Sequence, residues 1–221
     1  MVTVYLIRHC EAQGNLLHSF QGTSNTDITP LGSKQLEALA NRFKNIRLDA
    51  VYSSPLKRAY KTALCIAQPK NLDVIVDNGL IEIDGGVIEG MKYTEIFEKY
   101  PEVEYNWEYN PQNFATENGE PMRSVYDRIW KTVCGIARKN SGKTVAVASH
   151  GGAIRCLLCR VVLGDIEKLR DMPWSDNTAV AKLIFDDNLN CTAEYINDSS
   201  HLSKDLLPDD NRIKSLAGKQ E

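Results

Sequence analysis

Val2-Thr3-Val4-Tyr5-Leu6-Ile7-Arg8-His9 and Val145-Ala146-Val147-Ala148-Ser149-His150-Gly151-Gly152 are two apolar runs, and each ends on a histidine. Short apolar runs bounded by turn or polar residues predict buried strands of a mostly parallel sheet. In an open α/β sheet, ligands bind outside the carboxyl ends of parallel strands. Two histidines delivered there by different strands can meet in one pocket.

The intervening sequence supplies the other layers. Thr29-Pro30 is an N-cap followed by proline in the first turn, and Leu31, Leu36, Leu39, Ala40 and Phe43 continue at helical spacing, which predicts a helix over 30–44. Residues 50–53 form a short strand, and Ser54-Pro55 opens a helix through Arg58, Thr62 and Ile66. Residues 74–76 are a third strand leading to Glu82, which the turn residues around it place on a loop or strand end. Residues 92–120 turn aromatic, acidic and proline-containing, and read as an insertion over the active site. A helix over 121–139, a strand over 143–149 and a helix over 152–163 follow, then a hairpin of 178–185 and 191–196 and a polar tail from Ser199. The expected fold is a single α/β domain spanning 1–221. It is a three-layer sandwich with a mostly parallel central sheet, an antiparallel strand and helices on both faces.

Composition narrows the partners. A net charge of -3 on 221 residues gives no basic excess for nucleic acid or an anionic membrane, so small molecules are the expected ligands. The start of the chain runs straight into a strand, without a signal peptide's charged and apolar regions, and no apolar stretch is of membrane-spanning length. A cytoplasmic location is expected, and a homodimer stays open. The six cysteines lie mostly inside apolar runs and read as reduced thiols; Cys156 and Cys159 lack a second ligand pair for zinc, and no metal is called for.

Arg8-His9 places an imidazole beside a guanidinium at a strand end, a pairing able to attack phosphorus while offsetting the charge on its oxygens. Arg58 falls in the first turn of a helix that starts at a strand's carboxyl end, where an anion is favoured and a bidentate phosphate contact is available. His150 is followed by glycines that let backbone N–H groups approach a ligand. Each feature alone has a structural explanation: a satisfied histidine, a solvated arginine, a tight turn.

Together they resemble the histidine phosphatase, or phosphoglycerate mutase-like, superfamily. Its R-H-G-E-x-x-x-N motif is matched by Arg8-His9-Cys10-Glu11 through Asn15, its S-S-P-x-x-R-A-x-x-T motif by Ser53 through Thr62, and its S-H-G-G motif by Ser149 through Gly152. The resemblance implies a histidine acid phosphatase-type phosphoric monoester hydrolase needing no cofactor and acting on a small phosphorylated metabolite. It implies that His9 becomes a phosphohistidine, that Arg8, Arg58, His150 and Asn15 surround the phosphoryl group, and that Glu82 is the general acid and base. Gln21, Gly22 and Gly151 fall where substrate contacts are expected.

Two questions stay open. Cys10 stands where the family has glycine, which leaves a tolerated substitution, weakened activity or a redox-sensitive thiol beside the site. The stretch Glu82-Ile83-Asp84-Gly85-Gly86-Val87-Ile88-Glu89-Gly90 is nearer the phosphatase-like pattern than the mutase one, and no Arg-Arg pair exists to bind a glycerate carboxylate. Hydrolysis is therefore the expected outcome, with cofactor-dependent phosphoglycerate mutase as the enzymatic alternative and a noncatalytic binding domain as the third class. The insertion's glutamates, if they roof the pocket, disfavour polyanions.

Overall fold

A computed structural model of the protein describes residues 1–207. Strand β1 (Val2–Arg8) lies inside the sheet because both of its faces are apolar: Val2, Val4 and Leu6 point to one core and Ile7 to the other. With β2 (Ala50–Ser53), β3 (Val74–Val76), β4 (Thr144–Ser149), β5 (Val180–Phe185) and β6 (Cys191–Asp198) it forms one sheet in the order β3-β2-β4-β1-β5-β6. β1 and β4 are parallel, as are β4 and β2 and β2 and β3; β5 runs antiparallel to β1 and to β6.

Register makes the site. Arg8 pairs with Ser149, and Ser53 with Ala148, so three strands end at one level and the residues that follow them, His9, His150 and Ser54, emerge side by side. The His9 N–H donates to the Ser149 carbonyl at 3.0 Å, and the Ser54 N–H to that of Ala148 at 3.1 Å.

Helices cover both faces. α2 (Pro30–Phe43) and α3 (Lys57–Ala67) pack Leu39, Phe43, Ala63 and Ile66 against Ile7, Val51 and Ala148 on one side. On the other, α6 (Met122–Lys139) buries the expected stripe of Val125, Ile129, Val133, Ile136 and Ala137, and α7 (Gly151–Leu158) is buried throughout. The Thr29 cap is present: its Oγ1 accepts the Gly32 N–H at 2.9 Å and donates to Glu11 Oε1 at 2.7 Å. Among the described residues, no helix is long and apolar enough to cross a membrane.

Some boundaries differ from expectation. A short helix α1 (Gln13–Leu17) follows the first motif where none is predicted. The last predicted helix is α-helical only to Leu158, and Cys159–Leu163 continues as a π turn. The insertion folds as α4 (Tyr93–Lys99), α5 (Pro101–Tyr109) and a short 3-10 turn, Pro111–Asn113, held by an aromatic cluster in which Phe20 stacks on Phe114 at 6.1 Å. Of the segment predicted as a tail, residues 199–207 are described: Leu202 is buried and the Leu206 carbonyl accepts from the Gln35 amide at 2.9 Å. The remainder of that segment lies outside the described residues.

Candidate active site

The strand ends open into a cavity of about 330 Å³ lined by Arg8, His9, Asn15, Gln21, Glu82 and Gly151, together with residues of α1, the insertion and the loop before β5. His9 is almost fully buried, and its Nδ1 lies 2.6 Å from the Cys10 carbonyl oxygen. A carbonyl only accepts, so Nδ1 carries the ring proton and Nε2 keeps its lone pair. Burial first, then the Arg58 and Arg8 guanidinium groups, hold the His9 imidazole well below its usual range. The ring is neutral at physiological pH, as a nucleophile requires.

His9 is fixed from behind by a loop that the sequence did not single out. Its carbonyl accepts from Asn177 Nδ2 at 2.9 Å and from the Thr178 N–H at 3.3 Å, and the same Thr178 N–H reaches the Arg8 carbonyl at 3.1 Å. Thr178 achieves this with φ at 60°, a left-handed conformation rare for a β-branched residue. Such backbone strain costs about 1–3 kcal/mol and persists where surrounding contacts over-determine it. The predicted strand start at 178 thus moves to Val180.

His150 is fully buried, its ring centroid 5.2 Å from that of His9, and burial followed by Arg58, His9, Arg8 and Arg128 depresses its pKa. Both arginines donate from terminal nitrogens to backbone carbonyls. Arg8 Nη1 donates to the Ser175 carbonyl. Arg58 Nη1 donates to the Ser24 carbonyl at 2.7 Å, and its Nη2 to those of Gly22 and Gln21 at 2.9 and 3.2 Å. Three of the five Arg58 N–H donors thus hold a loop, and Nε is left buried without a protein partner. Burial pushes the Arg58 pKa down to about 10, so it stays a cation.

Arg8 Nε, Arg58 Nε and His150 Nδ1 are buried without any hydrogen-bond partner. Buried polar atoms are nearly always paired. Three unpaired donors on residues that act electrostatically on His9 are suited to hold an anion.

Glu82 lines the same cavity as His9. One of its carboxylate oxygens accepts the Gly152 N–H at 2.8 Å, and the other accepts those of Ala153 at 2.9 Å and Ile83 at 3.0 Å, so it sits on the N-terminus of α7. Gly152 permits this approach, since a Cβ there would lie 2.8 Å from Glu82 Oε1. The loop carrying Glu82 is anchored at both sides. Ser149 Oγ donates to the Leu80 carbonyl at 2.7 Å, and Arg128 Nη1 to those of Gly79 and Ile81 at 3.0 and 2.9 Å. Ser149 was visible only as part of a motif, and Arg128 carried no sequence signal at all.

The remaining predicted residues divide. Asn15 and Gln21 line the cavity, the former with Oδ1 accepting the Ala12 N–H at 3.0 Å. Gly22 does not line it; a Cβ there would lie 2.0 Å from the Ile83 carbonyl oxygen and 2.1 Å from Glu89 Oε1, so its requirement is packing beneath the Arg58 loop. Gly151 lines the cavity, where a Cβ would come 3.3 Å from Arg8 Nε.

Cys10 is accommodated. Its φ lies outside the left-handed region, its N–H donates to Thr62 Oγ1 at 3.0 Å, and its side chain is fully buried away from the cavity lining. Burial pushes the thiol up to about 12, which leaves no thiolate for oxidation. Peroxide is accordingly expected to inactivate wild type and Cys10→Gly at equal rates; faster loss in the wild type would restore the redox reading.

The far side of the cavity is set by the insertion and the loop before β5. Tyr93, Trp107 and Glu108 from the first face Trp174 and Asp176 from the second, and Trp107 meets Trp174 at 5.4 Å. Burial, reinforced by Glu104, raises the Glu108 pKa. Among the described residues, Arg8 is the one lysine or arginine on the lining.

A sequence model described as the histidine phosphatase superfamily (branch 1) matches residues 4–199. The chain is 35% identical over 207 residues to phosphoserine phosphatase 1 of Hydrogenobacter thermophilus, covering 92% of this chain and 96% of that protein. It is 32% identical over 166 residues to the probable phosphoglycerate mutase GpmB of Escherichia coli, covering 73% and 75%. Among solved structures, Bacillus stearothermophilus YhfR superposes with a TM-score of 0.86 at 27% identity, covering 91% of this chain and 99% of that one. A phosphoserine phosphatase mutant from Entamoeba histolytica, in complex with phosphoserine, gives 0.80 at 26% identity, covering 92% and 100%.

Proposed function

Because the chain belongs to branch 1 of the histidine phosphatase superfamily, we propose that it is a phosphoric monoester hydrolase that passes the phosphoryl group of a small metabolite through His9 to water, without a metal. The observation that carries this reading is that Arg8 Nε, Arg58 Nε and His150 Nδ1 are all buried without a partner in residues that act electrostatically on one another and on His9, whose ring lies 5.2 Å from that of His150.

In the first step His9 Nε2 attacks phosphorus, the ester P–O bond breaks, and Glu82 gives its proton to the departing oxygen. In the second, Glu82 takes a proton from water, the water oxygen bonds to phosphorus, and the P–N bond breaks to release phosphate and neutral His9. The arginines and His150 stabilise charge on the phosphoryl oxygens, the part that magnesium plays in other phosphoryl transfers. The test is to mix enzyme and p-nitrophenyl phosphate in the presence of chelator and quench in alkali. A phosphate that is alkali-stable, acid-labile and mapped to His9 is expected; turnover without any such adduct overturns the reading.

The cavity also bears on the leaving group. Glu108 and Asp176 on the wall favour a cationic substituent and repel an anionic one. This agrees with the relative named phosphoserine phosphatase and disfavours mutase chemistry on phosphoglycerate. Phosphoserine and 3-phosphoglycerate differ only by an ammonium in place of a hydroxyl. We expect kcat/KM to favour phosphoserine by about tenfold or more, the scale of one charge-assisted contact of about 1.5–3 kcal/mol. Equal values, or formation of 2-phosphoglycerate on priming with 2,3-bisphosphoglycerate, would count against it.

A further inference from the structure

We infer that the Ser54 hydroxyl fixes the ring proton of His150 on Nδ1, so that this histidine meets the phosphoryl group as a hydrogen-bond donor. Ser54 is fully buried, and its Oγ has two partners: the Leu56 N–H at 3.3 Å and His150 Nε2 at 2.7 Å. The first can only donate. A hydroxyl has one proton of its own, and in a buried site that proton needs an acceptor.

If His150 Nε2 also carried a proton, Ser54 Oγ would receive two donors while its own proton pointed at nothing. With Nε2 unprotonated, every group is satisfied: Leu56 donates to Ser54, and Ser54 donates to Nε2. The neutral ring then holds its proton on Nδ1, the atom buried without a protein partner. Burial and the neighbouring arginines keep the ring neutral, so the tautomer, and not protonation, decides what His150 shows the ligand.

The consequence is a division of labour between two identical tautomers. His9 has its Nδ1 proton tied to the Cys10 carbonyl and offers the bare Nε2 to phosphorus. His150 has Nε2 tied to Ser54 and offers the Nδ1 proton to a phosphoryl oxygen. Were the His150 proton on Nε2, a lone pair would face the phosphoryl anion. Ser54 is thus a positioning residue that acts through His150. Its placement follows from the β2–β4 pairing that sets it beside the end of β4.

This inference rests on the phosphatase reading for its kinetic consequence, but the proton's location can be measured without substrate. Long-range ¹H–¹⁵N spectra of the free protein, with histidines assigned by single His→Gln substitutions, report each ring's tautomer. His150 is expected to show a pyrrole-type Nδ1 and a pyridine-type Nε2, and Ser54→Ala to shift the proton towards Nε2. A wild-type ring protonated on Nε2, or a tautomer unchanged in Ser54→Ala, overturns the inference. If Ser54→Ala does not fold, the wild-type spectrum and Ser54→Thr, which keeps the hydroxyl, decide it.

In kinetics, Ser54→Ala is expected to lower kcat/KM for p-nitrophenyl phosphate by about 100-fold, the usual scale for one misplaced transition-state donor. Ser54→Thr should restore most of it. The deficit should also narrow as pH falls, because an imidazolium carries both protons and regains the Nδ1 donor. A deficit independent of pH and not rescued by threonine would mean a merely structural serine. Should the tautomer be as inferred while no phosphate appears on His9, the phosphatase reading fails and the proton assignment survives.

Discussion

His9→Ala lowers kcat/KM towards p-nitrophenyl phosphate by about ten-thousand-fold or more, as loss of an enzyme's covalent nucleophile generally does. The expectation rests on the absence of a substitute within reach. With Nδ1 tied to the Cys10 carbonyl, Nε2 of His9 keeps its lone pair. The neighbouring thiol is buried and held protonated at about 12. The His150 ring turns its Nε2 to Ser54 instead. The truncated protein should still bind orthovanadate or inorganic phosphate, because Arg8 and Arg58 are untouched, and that binding serves as the control for folding. A residual rate above about one percent of wild type would remove His9 from its role.

Glu82→Gln should produce the second largest loss, and its size should depend on the leaving group. General acid assistance contributes about 10²–10⁴-fold where the departing oxygen needs a proton. An alkyl phosphate needs one and p-nitrophenolate does not, so kcat/KM should fall by about 10³-fold for phosphoserine and far less for p-nitrophenyl phosphate. The later step is affected with both esters, since water activation uses the same carboxylate, so nitrophenolate should appear as a burst followed by slow turnover. The amide also places an NH₂ against backbone donors of Ile83, Gly152 and Ala153, which accept no hydrogen bond from it. Losing part of that helix-terminal contact costs about 1 kcal/mol and is read as a lower Tm. Equal losses for the two esters would show that Glu82 holds α7 in place and does not donate the proton.

Much of this site was legible before any coordinates. A strand needs only its apolar run to be recognised, and the residue after it needs only the rule about strand ends to be suspected. That is why His9, His150 and the first turn holding Arg58 could be placed. The short helix over Gln13–Leu17 escaped because five residues containing Gly14 and Asn15 give no periodic signal. That Arg58 also holds the loop of Gln21, Gly22 and Ser24 is not legible in the sequence, since the backbone carbonyls it bonds are invisible to side-chain patterns. The close packing of Gly22 against the Ile83 carbonyl and Glu89 is hidden from the sequence for the same reason.

The residues missed outright share one property. Arg128, Asn177 and Thr178 act through hydrogen bonds to backbone atoms far away in sequence, and neither spacing nor composition encodes a partner. The insertion was recognised by its aromatics, yet which of its many acids faces the ligand depended on how α5 lies, and Glu108 lines the cavity.

The place of β1 between β4 and β5 also orders events during synthesis. The Asn177 side chain that holds the His9 carbonyl is 168 residues later in the chain. At about 5–20 residues per second, a ribosome needs roughly 8–34 s to make that stretch. β4 precedes Asn177 but β5 follows it, so until then β1 lacks one neighbour and the nascent chain carries His9 without its clamp. Local helices such as α2 and α3 can form early, while the central pairing waits, as non-local contacts do. Ribosome-bound chains should therefore be inert towards the phosphorylated metabolites around them, because the surroundings of His9 are complete only once β1 lies between β4 and β5.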